Sequence, residues 1–307
     1  MRLLVVGAGS TGGYFGARLA QAGRDVTFLV RPARAAALRA RGLQIISPHG
    51  NATLKPKLAT AGEISGPFDA VLLTVKSYSL TAALEDFAPA IGEGTMILPV
   101  LNGMKHLEVL IQRFGAAAVL GCICLVVTTI DPEGRIVQLI PQQELAYGEL
   151  DGRPSERTAR LDAFMQGAGF SARLSAHIER EMWEKWILLA SLGGITCLMR
   201  GSIGEVEAAA GGREFALEFL AEVLSVVRAV GKPPSEAFLE AARALLTATG
   251  SSLTSSMYRD LQNGSPIEAD QIIGDLWQRA QRAQIATPLL RAAAAHLSIY
   301  QSRAHAT

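Results

Sequence analysis

The sequence predicts an α/β domain followed by an all-helical one, and three observations carry that reading. Short apolar runs alternate with helical patterns through the first half of the chain. From His177 onward only helical spacing remains. The length of 307 residues, at roughly 100–200 per domain, makes room for two cores. Strand–helix–strand alternation implies parallel βαβ units whose sheet is covered by helices on both faces. The expected division is residues 1–175 and residues 176–307.

Leu3–Gly7 is an apolar, β-branched run that breaks into glycines, and Tyr14–Ala22 has the spacing of a helix ended by Gly23. Asp25–Val30 reads as a second strand and Ala33–Arg41 as a second helix. Ala70–Val75, Ile97–Leu101 and Val119–Thr129 follow as further strands. Asp131-Pro132-Glu133-Gly134 is a turn by composition, and the stretch from Arg135 to Leu150 reads as short antiparallel strands around it. Asp151-Gly152-Arg153-Pro154-Ser155 is a loop leading into a helix over Glu156–Gly167. The second half carries helical spacing over Glu179–Leu192, Glu205–Ala210, Arg213–Val230, Ser235–Thr249, Pro266–Ala283 and Thr287–Ala304. Gly231-Lys232-Pro233-Pro234 interrupts it, with Ser235 as the next N-cap.

Composition excludes several functions. Lys and Arg total 29 against 28 Asp and Glu, a balance that argues against a broad electropositive surface for nucleic acid or anionic lipid. With 49% hydrophobic and 19% charged residues the chain is not intrinsically disordered. Cys122, Cys124 and Cys197 are too few for a disulfide scaffold or a closed zinc site, so a reducing, cytoplasmic setting and no metal are expected. Cys122 and Cys124 sit in an apolar run and read as buried, inert thiols. Met1–Gly7 has no long apolar stretch and does not read as a signal peptide. The apolar stretch from Trp186 to Met199 is shorter than the roughly 18–20 residues a membrane span needs.

Gly7-Ala8-Gly9-Ser10-Thr11-Gly12 closes the first strand and opens the first helix. Alone, G-x-G-x-x-G also marks an ordinary glycine-rich turn; a strand before it and a helix after it select the dinucleotide fingerprint of a Rossmann-type domain. Gly7 would make the tight turn, Gly9 would admit a pyrophosphate close to the backbone, and Gly12 would let helix and strand pack. The phosphates would meet free N–H groups at the helix N-terminus. The second strand bears on which dinucleotide. An NAD site usually has an acidic residue at the end of that strand, but here Arg31 stands there, with Arg34 one turn on and Asp25 back at the strand's start. A guanidinium suits a 2′-phosphate, so NADPH is the expected cofactor.

Further motifs complete a pattern: Thr74-Val75-Lys76, Asn102-Gly103-Met104, Glu181-Met182-Trp183-Glu184-Lys185, Ser255-Ser256-Met257 with Asp260, and Glu268-x-Asp270 near Gly274. In this order the chain resembles ketopantoate reductase (2-dehydropantoate 2-reductase) over essentially its whole length. The resemblance implies NADPH-dependent reduction of a 2-keto acid on the route to pantothenate, at a site between the two domains. It makes Lys185 the general acid toward the carbonyl oxygen. Lys76 and Asn102 would line the nicotinamide side, Asn102 touching substrate as well. Ser256, with Met257 to Arg259, would meet the substrate carboxylate. Glu268 would lie near the cofactor ribose and Lys185. Taken alone, Lys185 reads as a snorkelling surface lysine and Glu268 as a solvated helix residue. Trp183 and Trp186 read as core aromatics. The expected partner is a small 2-keto acid, and a homodimer is admitted.

The chain departs from the family where substrate is recognised. Asparagines expected one and two turns after the lysine are replaced by Leu189 and Gly193, and a third amide by Ile203. Lys185, Leu189 and Gly193 share one helix face, at i, i+4 and i+8. A site without hydrogen-bond partners for a substrate hydroxyl loses selectivity for it, which points to a less polar or bulkier 2-keto acid. Two other readings stay open at this stage. One is a dehydrogenase of the same architecture acting on an imine or a β-hydroxy acid; the other is a non-catalytic NADPH sensor.

Overall fold

The structure, a computed structural model, describes residues 1–304. It divides into two compact units: Met1–Leu101 with His106–Glu179, and Asn102–Lys105 with the chain from Arg180 on. The first unit opens with β1 (Arg2–Val6), α1 (Ser10–Gln21), β2 (Asp25–Leu29) and α2 (Pro32–Arg41). Then come β3 (Leu43–Ile46), β4 (Ala52–Leu54), β5 (Lys57–Ala59), β6 (Ala70–Leu73), α3 (Leu80–Phe87), β7 (Met96–Pro99) and α4 (Lys105–Phe114). β8 (Gly121–Ile130), β9 (Ile136–Gly148), α5 (Glu156–Met165) and β10 (Ser171–Leu174) complete it.

Five parallel strands form the first sheet in the order β5-β2-β1-β6-β7, with Val5 between Phe28 and Leu72. β6 and β7 are buried along their whole length, which is why they read as unbroken apolar runs. Leu3, Val5, Phe15, Phe28 and Leu72 are fully buried at its centre. Asp25, at the exposed start of β2, is bonded to Lys57 Nζ at 2.8 Å, which holds its carboxyl below the usual range. A second sheet runs β10-β9-β3-β4, with β8 pairing β9 antiparallel.

Several boundaries differ from the sequence reading, each for a physical cause. α1 begins at Ser10, not Tyr14, so the fingerprint itself supplies the first helical turn. Tertiary packing there overrides the low helix propensity of glycine. β9 is one long strand of 13 residues, twisted by an irregularity opposite Val126 to Thr128, not a set of short ones. β3, β4, β5 and β10, three or four residues each, are too short to display an alternation. α3 and α4 occupy stretches the sequence reading leaves unassigned. Cys122 is buried as expected, but Cys124, on the same strand, is only half-buried; Cys197 is buried as well, which pushes its thiol up to about 12.

The second unit is helical: α6 (Ile178–Met199, its first two residues counting with the first unit), α7 (Ile203–Ala208), α8 (Gly212–Val230), α9 (Glu236–Leu246), α10 (Ser256–Gln262), α11 (Asp275–Arg282) and α12 (Pro288–Ala304). α8 buries Ala216, Phe219, Leu220, Val223, Leu224 and Val227, an i, i+3, i+4 stripe that packs against α7, α9, α11 and α12. α6 continues past Leu192 to Met199 because Ile195, Thr196 and Cys197 are fully buried; it ends at Arg200 in the left-handed conformation. Ser235 caps α9 as expected, accepting from Phe238 N–H, and Ser202 forms a capping box with Glu205. Asp270–Gly274 forms a π turn ahead of α11, where the sequence reading has a regular helix. Among the described residues, no helix is long and apolar enough to cross a membrane and no His, Cys, Asp or Glu group is built to hold a metal.

One ion pair has a measurable consequence. Glu149 accepts from Arg157 Nε at 2.7 Å and from Ser155 Oγ at 2.6 Å, both at the N-terminus of α5, and its side chain is only 13% exposed. The Arg157 hydrogen bond is the main cause that holds the Glu149 carboxyl below its usual range. A depressed carboxyl stabilises the fold above its unfolded pKa, and that contribution is lost as pH falls through the folded value. Glu149→Gln should therefore cost about 1–3 kcal/mol at neutral pH. In thermal melts the gap to the wild type should narrow below about pH 4.3, the ordinary glutamate value.

Candidate active site

Gly7, Ala8 and Gly9 follow β1, Arg31 follows β2, and Thr74, Val75 and Lys76 follow β6. All of them line one cleft of about 460 Å³ at the carboxyl ends of these parallel strands. The backbone there is built for close approach. Gly7 has φ +97°, open to glycine and strained for any other residue. A Cβ added at Gly12 would lie 2.0 Å from Thr74 Oγ1 and 2.3 Å from Gly7 O, so only glycine lets α1 press onto the strand ends. Thr74 Oγ1 in turn bonds Val6 O and Gly7 O, both at 2.9 Å. At Gly9, the residue before α1, a Cβ would meet nothing within 4 Å. Ser10 and Thr11 form the first turn of α1 beyond it. A cradle of this shape fits a dinucleotide, with the diphosphate toward the start of α1.

The cleft is electropositive: Arg31, Arg34 and Lys76 line it against a single carboxylate, Asp86. Arg31 is exposed at the N-cap position of α2, and its Nη2 donates to Ser79 Oγ at 3.1 Å. A guanidinium and a hydroxyl thus stand together where an acidic residue would meet a ribose 2′-hydroxyl. Lys76 precedes the short turn Ser77–Ser79. Ser79 and Tyr78 escape the sequence reading, because nothing local distinguishes them from loop residues.

In the second unit, Asn102 Nδ2 donates to Glu268 Oε2 at 3.3 Å across a separation of 166 residues. Glu268 is buried, although as an isolated residue it reads as a solvated helix position. The loop Asn102–Lys105 approaches the π turn closely: Gly103 has φ +78°, and a Cβ there would lie 2.5 Å from Gln271 O. Trp186 Nε1 donates to Ile272 O at 2.9 Å, so this core indole also braces the π turn.

Lys185 and Leu189 are half-buried on α6 and Gly193 is buried two turns on. The carboxylate beside the lysine is engaged elsewhere: Glu184 accepts from Ser235 N–H and Oγ–H, both at 2.8 Å. At Gly193 a Cβ would lie 2.7 Å from Met257 Cε, so the methionine occupies the space a side chain would fill. Ile203 is fully buried. Ser255, not Ser256, caps α10, bonding Tyr258 N–H at 3.0 Å and Thr196 Oγ1 at 2.9 Å. Ser256 is left exposed in the first turn. The predicted residues thus fall into two groups: the fingerprint with Arg31 and Lys76 on the cleft of the first unit, and Asn102, Lys185, Leu189, Gly193, Ser256 and Glu268 in the second.

Comparison with known proteins gives a family match to each half of the chain. The family described as Ketopantoate reductase PanE/ApbA matches residues 3–152, and its C-terminal counterpart matches residues 177–301. An uncharacterised oxidoreductase of Bacillus subtilis, YkpB, is 37% identical, with 98% of this chain and 99% of that protein aligned. A 2-dehydropantoate 2-reductase of Mesorhizobium japonicum is 27% identical over 95% of both chains. The crystal structure of 2-dehydropantoate 2-reductase from Geobacter metallireducens superposes with a TM-score of 0.86 at 28% identity, covering 97% of this chain and 99% of that one. The chain therefore belongs to the ketopantoate reductase family, dinucleotide-binding oxidoreductases that reduce a keto acid to a hydroxy acid.

Proposed function

We propose that the protein reduces a 2-keto acid to the 2-hydroxy acid with NADPH, and that its substrate is 2-dehydropantoate or a less polar relative. The observation that carries the reading is the electropositive cleft at the strand ends, lined by the fingerprint and by Arg31 with no acidic residue at the end of β2. When bound, the reduced nicotinamide supplies the hydride. Lys185 holds the proton for the carbonyl oxygen, and its ammonium offsets the alkoxide charge that develops there. Glu268 orients Asn102 through the bond to its amide, and so fixes the direction in which that amide presents its remaining hydrogen-bonding groups. Ser256 offers an exposed hydroxyl at the start of α10 for the carboxylate. Arg31 and Ser79 take the 2′-phosphate.

Leu189 and the Gly193–Met257 contact make that stretch of α6 apolar, which supports the less polar substrate. The test is kcat/KM for 2-dehydropantoate against a panel of apolar 2-keto acids, each with NADPH and NADH. Preference for the apolar members with NADPH is the expected result. A strong preference for 2-dehydropantoate would remove the apolar refinement, and no turnover of any 2-keto acid would remove the reading. Leu189→Asn should move kcat/KM toward the hydroxylated substrate about tenfold relative to the apolar ones, the scale of one hydrogen bond to a substrate hydroxyl.

A further inference from the structure

Arg34 has contacts that binding a 2′-phosphate does not explain. Its Nε donates to Ala8 O at 3.2 Å and its Nη1 reaches Gly134 O at 3.4 Å, while Nη2 is enclosed with no hydrogen-bond partner. Among the described residues no carboxylate pairs with it, and burial works against its charge. The guanidinium is thus spent on main-chain carbonyls, one of them inside the fingerprint loop. Its neighbour Arg31 is exposed and, among the described residues, bonded to the Ser79 hydroxyl.

Peptide geometry gives the Ala8 bond a consequence. No peptide in the described chain is cis, and in a planar trans peptide the C=O and the following N–H point in opposite directions. Drawing Ala8 O toward Arg34 therefore turns the Gly9 N–H away from it. The plane of this peptide turns with ψ of Ala8 and φ of Gly9, and Gly9 has no side chain to restrict its share of that rotation. A fixed charged donor selects one of the orientations open to it. Gly9 lines the cleft immediately before α1, so the selected N–H joins the orphan donors of the helix N-terminus.

We infer that Arg34 is a positioning residue for the diphosphate of the dinucleotide: it aims the Ala8–Gly9 peptide and, through Gly134, ties the β8–β9 turn to the fingerprint loop. It acts on the part that NADPH and NADH share, not on the 2′-phosphate. The inference rests on the reading of this cleft as the dinucleotide site.

The test measures equilibrium binding of NADPH, NADH and adenosine 2′-phosphate to the intact wild type, Arg34→Ala and Arg31→Ala. Arg34→Ala should weaken NADPH and NADH by the same factor, about tenfold to a hundredfold for one charge-assisted hydrogen bond, and leave adenosine 2′-phosphate unchanged. Arg31→Ala should weaken NADPH and adenosine 2′-phosphate and spare NADH. Identical profiles for the two variants would overturn the inference, as would unchanged dinucleotide binding in Arg34→Ala. Equal weakening of all three ligands by Arg34→Ala would also overturn it, marking a general loss of structure. If Arg34→Ala does not fold, Arg34→Lys, which keeps the charge without the planar fork, takes its place with the same pattern expected. A wild type that binds neither dinucleotide would remove the cleft reading itself, a result visible before any variant is compared.

Discussion

Lys185→Ala is expected to lower kcat by about 10²- to 10⁴-fold, the range in which a positioned general acid contributes, while NADPH binding stays within about threefold of wild type. The change at Lys185 leaves intact the fingerprint, Arg31 and Lys76, the residues that line the cleft. Lys185→Arg sharpens the test. Arginine keeps a positive charge but does not release its proton in a protein, so a role in proton transfer predicts that it remains as impaired as alanine. A role confined to electrostatic stabilisation predicts substantial recovery. Steady-state kinetics on the best 2-keto acid, with NADPH affinity followed by fluorescence, reads both quantities. A kcat within threefold of wild type in Lys185→Ala would remove the lysine from the chemistry.

What the sequence shows of this site depends on how local the signal is. The fingerprint is legible because turn, close approach and helix start are all imposed on six consecutive residues, Gly7 to Gly12, which leaves glycine at fixed places. Arg31 is legible because its place at the end of β2 is one strand length from Asp25. The Asn102–Glu268 bond spans 166 residues and has no local mark; the resemblance to the family pointed to both residues, and the structure joins them. The contact of Arg34 with Gly134 spans 100 residues and is also without a local mark, and the role of Arg34 toward Ala8 depends on the path of a loop that spacing does not encode. The π turn at Asp270–Gly274 is invisible because its extra residue leaves the apolar spacing readable as an ordinary helix. The substitution at Gly193 shows in the sequence only as a missing amide; that Met257 fills the space appears once α10 packs on α6.

The near-neutral charge of the chain also takes on meaning at this level. A balance of 29 against 28 excludes a broad basic surface, yet three cations converge on one cleft with a single carboxylate. Anion binding here depends on local arrangement. A few cations gathered in one cleft set a local potential that the same number dispersed over the surface would not.

Gly12→Ala and Gly9→Ala should fail in opposite ways, although both change one glycine of the same motif. At Gly12 the added methyl would overlap Thr74 Oγ1 at 2.0 Å and Gly7 O at 2.3 Å. The threonine hydroxyl can rotate away; the carbonyl is backbone and cannot, so α1 must lift off the ends of β1 and β6. Overpacking of this kind costs typically about 1–3 kcal/mol and more where backbone must move. Gly12→Ala should therefore lower the melting temperature and abolish dinucleotide binding together. Adding Thr74→Ala should not restore either, because the Gly7 carbonyl remains in the way; recovery in the double variant would show that the hydroxyl, not the main chain, sets the limit. At Gly9 the methyl meets no protein atom within 4 Å and φ is −78°, accessible to alanine. Gly9→Ala should keep the wild-type melting temperature and lose dinucleotide affinity alone, since the room it fills is room for the ligand. Unchanged NADPH affinity in Gly9→Ala would place the diphosphate elsewhere on the cleft.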